Sequence, residues 1–534
     1  MPNHSAFPFA QPRNSSKRTT AIISVASAIL ILLGCDGALH WDEPGYLYAG
    51  IYQDVGEILR GEVQPSGLAW FTLGKPLHIL IIHGVYRITG DPAVTAIVIS
   101  GLYSMLMIAS LGVCWTIVRL LMPAHQQHVL VGTVVAAFSP VVADLLFKTL
   151  SEIPAYFFAC LSCLAILNVA RGKPVWWLLL GMVALAVTSL TKLPMIIVPV
   201  SMALAMICVP VGTFTRRSVF LAGVATGALG AALAIATIHV LGIGLERFLG
   251  NDDLFSKSVP LVAKLMHVAI AFGVVWLVLP VSLASHRRRE LVFFWLWFLL
   301  ATAPFLVLFQ HVEPRYIVGS VLPLAGLSAL SAEVLWRGWR TRIAPAIAVP
   351  LAALALLLVL SVHKLALVVM PHEVNVFDLR NLVTRLEDRS NGAPFSVLTS
   401  SLYTDFHMLR VLRPDLNVYD TDGQMRIVPR TGANAKALAT EYMDGRRIGS
   451  AQALEDIAQP IYYFGFDRTF AIENLAMLLG TVQPGLGDKL RNSFVLKSHL
   501  RSTWVWDRKQ VELHRIGKQG HYVAYRVVPS DGSP

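Results

Sequence analysis

The sequence predicts a polytopic α-helical membrane protein with about eleven transmembrane helices and a C-terminal soluble α/β domain. Composition is the first indication: of 534 residues, 55% are hydrophobic and only 14% charged, with a mean hydropathy of +0.59. A soluble globular chain carries about a quarter charged residues. The second is the recurrence of apolar runs close to the roughly 20 residues that a helix needs to cross the hydrocarbon core. The third is a change after Met370, beyond which polar and apolar residues mix and no run reaches membrane length.

The apolar runs fall near 19–39, 94–120, 128–146, 153–170, 175–191, 193–212, 218–242, 262–284, 291–309, 317–335 and 343–366. The net charge of +11 first suggests an anionic partner, but its distribution argues against nucleic acid. The basic residues sit in short clusters between runs: Lys17-Arg18, Arg119, Arg171 with Lys173, Arg216-Arg217, Arg287–Arg289, and Arg337, Arg340 and Arg342. That is the positive-inside pattern of cytoplasmic loops. With residues 1–18 as a cytoplasmic tail, all these clusters fall inside. Asp42, Glu43, Asp144, Glu152, Asp252, Asp253 and Glu313 then fall outside, as do the isolated bases Lys75, Lys148, Lys192, Lys257 and Arg315. The expected setting is the plasma (inner) membrane. Residues 19–370 form the transmembrane domain and 371–534 a periplasmic or extracellular domain.

Within this plan, the runs 175–191 and 193–212 would meet in a tight outer turn at Thr191-Lys192. Leu32–Asp36 resembles a lipoprotein cleavage site, but the preceding run is long for a signal peptide and reads as an uncleaved anchor. The loop 40–92 contains two semi-apolar stretches, Gly45–Leu59 and Leu77–Ile88, that read as amphipathic interfacial helices. Beyond Met370, Val376–Arg389 has helical periodicity, and Phe395–Thr399, Ile461–Phe466 and Tyr522–Val528 read as strands. The five cysteines, 35, 114, 160, 163 and 208, all lie in or beside apolar runs, so no disulfide framework is expected in the outer domain. The Cys160/Cys163 pair reads as small packing residues.

Four short motifs carry chemistry. Asp42-Glu43-Pro44-Gly45-Tyr46-Leu47-Tyr48 follows directly on the first span. Charge at a membrane edge is costly unless solvated or paired, so such carboxylates are functional candidates. Lys75-Pro76-Leu77 places a compact cation suited to a phosphate before a helix-starting proline. Ser151-Glu152-Ile153-Pro154 opens the fourth span, where Glu152 suits the positive end of a helix dipole. Glu313-Pro314-Arg315-Tyr316 precedes the tenth span, and a fixed arginine there can grip a lipid phosphate by forked hydrogen bonds. Each also has a plain structural reading as a helix start, a loop or an interfacial side chain. The sequence has no Walker A loop, no GxGxxG after a strand and no HExxH, and no His/Cys cluster has structural zinc spacing.

In this order, and at these topological positions, the motifs resemble the GT-C superfamily of membrane glycosyltransferases. The likeness is to the branch containing protein O-mannosyltransferases, the lipid A aminoarabinose transferase and RgtA/B/C/D-like enzymes (glycosyltransferase family 39-like), and it covers roughly 20–340. It implies a polyprenyl-phosphate sugar donor, with hexosyl or pentosyl transfer at the outer face to a hydroxyl of a lipid, cell-surface glycan or protein. Asp42 matches the acidic position that binds or deprotonates the acceptor, with Glu43 beside it, and Glu152 matches the second acidic position. Lys75 and Arg315 match basic positions that hold the donor phosphate, and Tyr46, Tyr48 and Tyr316 would contact substrate. The sequence departs from the family in having a single proline after Lys75. It also has no clear counterpart of the aminoarabinose enzyme's metal ligands, so a divalent metal stays open. Inversion is expected, because one base is offered and no covalent sugar intermediate is required. The rival readings are a transporter or flippase of lipid-linked glycans and a non-catalytic glycan receptor. Transporters tend to place ionisable groups near the midplane of repeated halves. Here the acids gather at the outer mouths and no repeat is evident.

Overall fold

The computed structural model describes residues 38–39, 43–52, 56, 75–123, 126–146, 148–242, 261–277, 279–307, 314–339, 374–399, 408–409, 411–413, 415–421, 427–429, 460–466, 503–506, 509–519 and 522–529. Among these, six helical stretches are long and apolar enough to cross a membrane: Pro92–Leu121, Glu152–Ala170, Trp176–Cys208, Arg216–Val240, Arg288–Val307 and Pro314–Arg337. Exposed apolar side chains such as Val98, Met105, Phe220, Leu221 and Val224 lie on their outer faces, as helices solvated by lipid require. The runs expected at 19–39 and 343–366 fall outside the described residues, except for Ala38–Leu39, which form a short strand, β1, rather than the end of a helix.

Two of the expected runs are broken rather than continuous, and a further break falls between two of them, at Lys192. Run 128–146 divides into the helices Gln126–Ala137 and Pro140–Leu145, because a proline cannot continue the hydrogen-bond ladder. Run 262–284 divides into Leu261–Phe272, a 3-10 turn Gly273–Leu277 and Leu279–Ser282. The two breaks abut: a Cβ at Gly273, which has φ +50°, would lie 2.8 Å from Pro140 Cγ. The third break is at Lys192, whose backbone is extended (φ −160°, ψ 99°) and leads into the 3-10 turn Leu193–Ile196.

Small residues set the helix spacing, as expected where apolar surface alone gives no drive to associate. Gln126–Ala137 packs on Val321–Trp339. A Cβ at Gly132 would come 2.4 Å from the Ala329 backbone nitrogen. The helix Glu152–Ala170 packs against Trp176–Lys192, Pro92–Leu121 and Arg216–Val240, and its first turn is buried.

The two helices of the outer loop differ from one another. Pro76–Thr89 buries one stripe, Pro76, His78, Ile79 and Ile82, as an interfacial helix should. Glu43–Tyr52 is buried on nearly every side, which corrects the expectation of an amphipathic helix. Gly45, Ala49 and Gly50 let it approach its neighbours closely; a Cβ at Gly50 would sit 2.5 Å from Ile82 Cγ2.

Beyond the membrane helices lie β2 (Val374–Asn375), the helix Val376–Arg389 and a seven-stranded mixed sheet. Its strands are β3 (Ser396–Thr399), β4 (Asn417–Thr421), β5 (Ile427–Pro429), β6 (Ile461–Phe466), β7 (Thr503–Trp506), β8 (Lys509–Gln519) and β9 (Tyr522–Pro529), in the order β5-β4-β3-β6-β9-β8-β7. β3 is parallel to both β4 and β6, and the other pairs are antiparallel. Asn375 caps the helix by accepting the Phe377 and Asp378 N–H groups. Val376, Leu379, Leu382, Val383 and Leu386 form its buried face, and the helix packs on β8 and β9.

Three ties fasten this unit to the outer loop. β1 pairs antiparallel with β2, Ala38 opposite Asn375 and Leu39 opposite Val374. The Tyr52 hydroxyl donates to the Val411 carbonyl at 2.5 Å. Arg380 grips both oxygens of Asp91, at 2.8 and 2.9 Å, while Asp91 also caps the helix Pro92–Leu121 through the Ala93 and Val94 N–H groups. Partial burial alone would raise the Asp91 pKa. The Arg380 hydrogen bond and the two amides outweigh it and hold the carboxyl below the usual carboxylate range.

Gly132→Ala should destabilise the helix pair by about 1–3 kcal/mol through overpacking. Gly84→Ala, where an added Cβ meets nothing within 4 Å, should be neutral or stabilising by about 0.5–1 kcal/mol. Thermal midpoints in detergent check both; equal midpoints for the two variants would contradict the close approach. Because the Asp91 carboxyl is held down in the folded protein, its contribution to docking is present above the unfolded pKa and is lost as pH falls through the folded one. Asp91→Asn keeps a capping side chain and removes the ion pair. Hydrogen exchange of Val376–Arg389 should therefore quicken in this variant at neutral pH and match the wild type in acid.

Candidate active site

Four segments far apart in sequence supply the polar residues of the outer half. The first is the buried helix Glu43–Tyr52. The Glu43 side chain, with no solvent exposure, accepts the Thr149 backbone N–H. That bond ties the acidic motif after the first span to the segment leading into Ser151-Glu152. Asp42 lies outside the described residues. Tyr46 points to the second segment: Lys75 Nζ donates to its hydroxyl at 2.5 Å and lies 4.7 Å from its ring centre.

Lys75 stands immediately before the helix that Pro76 starts, and one turn on is His78. The His78 ring is edge-on to Tyr46 at 4.7 Å, and its Nδ1 shares a 2.7 Å hydrogen bond with the Tyr103 hydroxyl. This interfacial histidine is wholly buried. Burial first, then the positive charge of Lys75 and, more weakly, Lys192, push its pKa down to about 3 against the opposing pull of Glu152. His78 is thus a neutral imidazole within electrostatic reach of Lys75, Glu152 and Lys192 together.

Glu152 opens its helix and is fully buried. Its Oε1 takes two cations: the Lys192 ammonium and, at 3.4 Å, Arg315 Nε. Its Oε2 accepts from Ser151 Oγ at 3.3 Å. Tyr316 closes the group, with Lys192 Nζ 4.4 Å and Arg315 Cζ 5.5 Å from its ring centre. Arg315 and Tyr316 lie on the 3-10 turn Pro314–Ser320, whose packing on Arg288–Val307 and on the helix Glu152–Ala170 brings them inward. A carboxylate buried to this degree needs paired cations to stay ionised.

The structure therefore links Tyr46 with Lys75, and Glu152 with Arg315 and Tyr316, and ties Glu43 to the segment leading into Glu152. Tyr48 instead meets Tyr52 in a tilted ring contact at 5.3 Å, and Tyr52 meets Tyr86 likewise at 6.5 Å, on the way to the Val411 tie. Glu313 lies outside the described residues. His78, Tyr103, Thr149 and Lys192 were not among the sequence candidates. His78 had a readable signal in its helical spacing from Lys75, and Lys192 in being a lone cation within an apolar stretch. Among the described residues no group of three or more His, Cys, Asp or Glu side chains is arranged to hold a metal ion. Cys114 and Cys160 lie 3.9 Å apart with Tyr156 in the middle of the helix packing, as packing residues would.

Residues 74–241 match the profile of the family described as dolichyl-phosphate-mannose-protein mannosyltransferase. Two solved structures of ArnT from Cupriavidus metallidurans resemble the chain throughout. The apo state aligns with a TM-score of 0.52 and 14% identity, over 97% of this chain and 100% of that one. The state bound to undecaprenyl phosphate aligns with a TM-score of 0.52 and 14% identity, over 96% and 99%. No curated protein matches the chain in sequence. The chain therefore shares the fold of these ArnT structures, in line with the ordered motifs, and its apolar helices make it a multi-pass membrane protein.

A neutral buried His78 has a stability consequence. Unfolded histidine titrates near 6.5, so below that pH the unfolded chain binds a proton that the folded one refuses until about pH 3. Stability is full above 6.5 and falls by about 1.4 kcal/mol per pH unit below it. His78→Asn retains a partner for Tyr103 and should flatten the decline of the thermal midpoint between pH 7 and 5. An unchanged slope would show that His78 does not stay neutral.

Proposed function

We propose that the protein is a glycosyltransferase that moves a sugar from a polyprenyl-phosphate carrier to a hydroxyl acceptor at the extracytoplasmic face of the plasma (inner) membrane. The observation that carries this reading is the buried meeting of Glu152 with Arg315 and Lys192, with Lys75 acting on the same His78. Cations gathered at the mouth of a helix bundle suit a lipid phosphate. The likeness to ArnT bound to undecaprenyl phosphate supports a polyprenyl-phosphate donor.

In this mechanism Lys75 and Arg315 hold the donor phosphate before reaction, so the charge developing on the leaving group meets cations already oriented. The acceptor oxygen attacks the anomeric carbon and the bond from that carbon to the phosphate oxygen breaks. The electron pair leaves on the phosphate and the hydroxyl proton passes to Asp42. One displacement inverts the anomeric configuration. Tyr46 and Tyr316 line the donor side by their contacts with Lys75 and Arg315, and Tyr48 would meet substrate from the outer edge. Glu43, engaged with Thr149, serves as a positioning residue beside Asp42, and Glu152 sets the place of the cations. The segment 371–534 is the extracytoplasmic unit in this scheme, and the acceptor is a lipid, a cell-surface glycan or a protein.

Transfer from polyprenyl-phosphate sugars by the purified protein tests the proposal. Asp42→Asn should lower kcat by roughly 10²–10⁴-fold with folding intact. Lys75→Met should chiefly raise KM for the donor. Undiminished transfer by Asp42→Asn would remove Asp42 as the base. Unchanged glycolipids and surface polysaccharides in a deletion strain would oppose the transferase reading itself.

A further inference from the structure

Lys192 is placed unlike the other cations of the site. It stands at a break in an apolar stretch, between Trp176–Lys192 and the 3-10 turn Leu193–Ile196, with an extended backbone that no helix interior would impose. Its side chain is 11% exposed, and its ammonium meets Glu152 Oε1 and the face of Tyr316. Arg315 reaches the same Oε1 from another segment. One carboxylate oxygen is therefore shared by two cations, a fixed guanidinium fork and a flexible point charge. Because Arg315 also holds that oxygen, the carboxylate keeps a cationic partner when Lys192 turns away.

The proposed chemistry changes the charge of its own leaving group. A polyprenyl-phosphate sugar is a phosphodiester with one negative charge. Once the carbon–oxygen bond breaks, the product is a phosphate monoester whose second proton titrates near pH 6, so it carries up to two. Resting on the transferase reading above, we propose that Lys192 is the cation reserved for the second charge: it neutralises Glu152 while the diester is bound and shifts toward the phosphate as the monoester forms. Its stem allows this, because an ammonium on four methylenes moves without losing hydrogen-bond geometry, whereas Arg315 stays on Glu152. The interaction strengthens only in the transition state and product, so it acts on kcat more than on donor KM.

The test uses polyprenyl phosphate alone, without sugar or acceptor, on the purified full chain. Wild-type affinity should rise several-fold between pH 5 and 7.5 as the ligand gains its second charge. The groups near Lys192 do not supply that change: Glu152 and Arg315 are paired, and burial holds the His78 pKa down to about 3. His239 is exposed on the adjoining helix Arg216–Val240, and His239→Gln should leave the rise intact. Lys192→Met should flatten it, Lys192→Arg should restore most of it, and kcat for transfer should fall by ~10²-fold in Lys192→Met with donor KM changed little. Glu152 stays paired with Arg315 in Lys192→Met, and the thermal midpoint of that variant separates a folding defect from a binding one. If Lys192→Met keeps the wild-type pH dependence, the inference fails while the transferase reading stands. If the wild-type chain does not bind polyprenyl phosphate at any pH, the transferase reading fails first.

Discussion

Glu152 can remain a carboxylate in the outer half of the bundle only because two cations reach it. Taking an ion out of water costs several kcal/mol even after relaxation, and the helix that begins at Glu152 has no solvent at its first turn. Arg315 comes from the turn before the helix Val321–Trp339, and Lys192 from the break in Trp176–Cys208. Neither could arrive if those stretches were uninterrupted helices, since a regular ladder would carry the side chains past the carboxylate. The irregular backbone at Lys192 and at Pro314–Ser320 is thus the geometry that one buried charge demands, and it lies where irregular backbone is tolerated, inside protein.

The acidic motif after the first span is held by the same logic at one remove. Glu43 is engaged with the Thr149 backbone, which leads into Ser151 and Glu152. The ten-residue helix that Glu43 begins then runs from Tyr46, at Lys75, to Tyr52, at Val411. Its small residues are packed against Ile82 and its neighbours, so that helix is a short, closely packed link between Lys75 and the Val411 carbonyl.

Much of this plan was legible in the residues. The length of apolar runs marked where six membrane-length helical stretches lie among the described residues, and Val376–Arg389 with strands β3, β6 and β9 appeared where periodicity put them. Lys75, Glu152 and Arg315 were readable because a charge beside an apolar run has few reasons to be there. What escaped was set by tertiary contact. A proline and a glycine that meet across two helices produce breaks that hydropathy cannot register. The burial of Glu43–Tyr52 depends on Ile82, which its own sequence does not contain. β8 alternates poorly and carries a bulge between Arg515 and Gly517, so its period was blurred. The role of Glu43 was hidden for the plainest reason: its partner is a backbone amide 106 residues away.

The pairing of β1 with β2 also fixes an order of events in biosynthesis. Ala38 and Leu39 leave the ribosome long before Asn375 and Val374, and Tyr52 is separated from its acceptor at Val411 by 359 residues. At roughly 5–20 residues per second, the first outer loop emerges and then waits about half a minute for the segments that complete its edges. During that interval the acidic motif lies at the membrane surface without its strand partner, its sheet or Arg315. The loop's ties are therefore made last, from the C-terminal side, and a chain released before Val374 would insert its helices yet leave the loop unfastened.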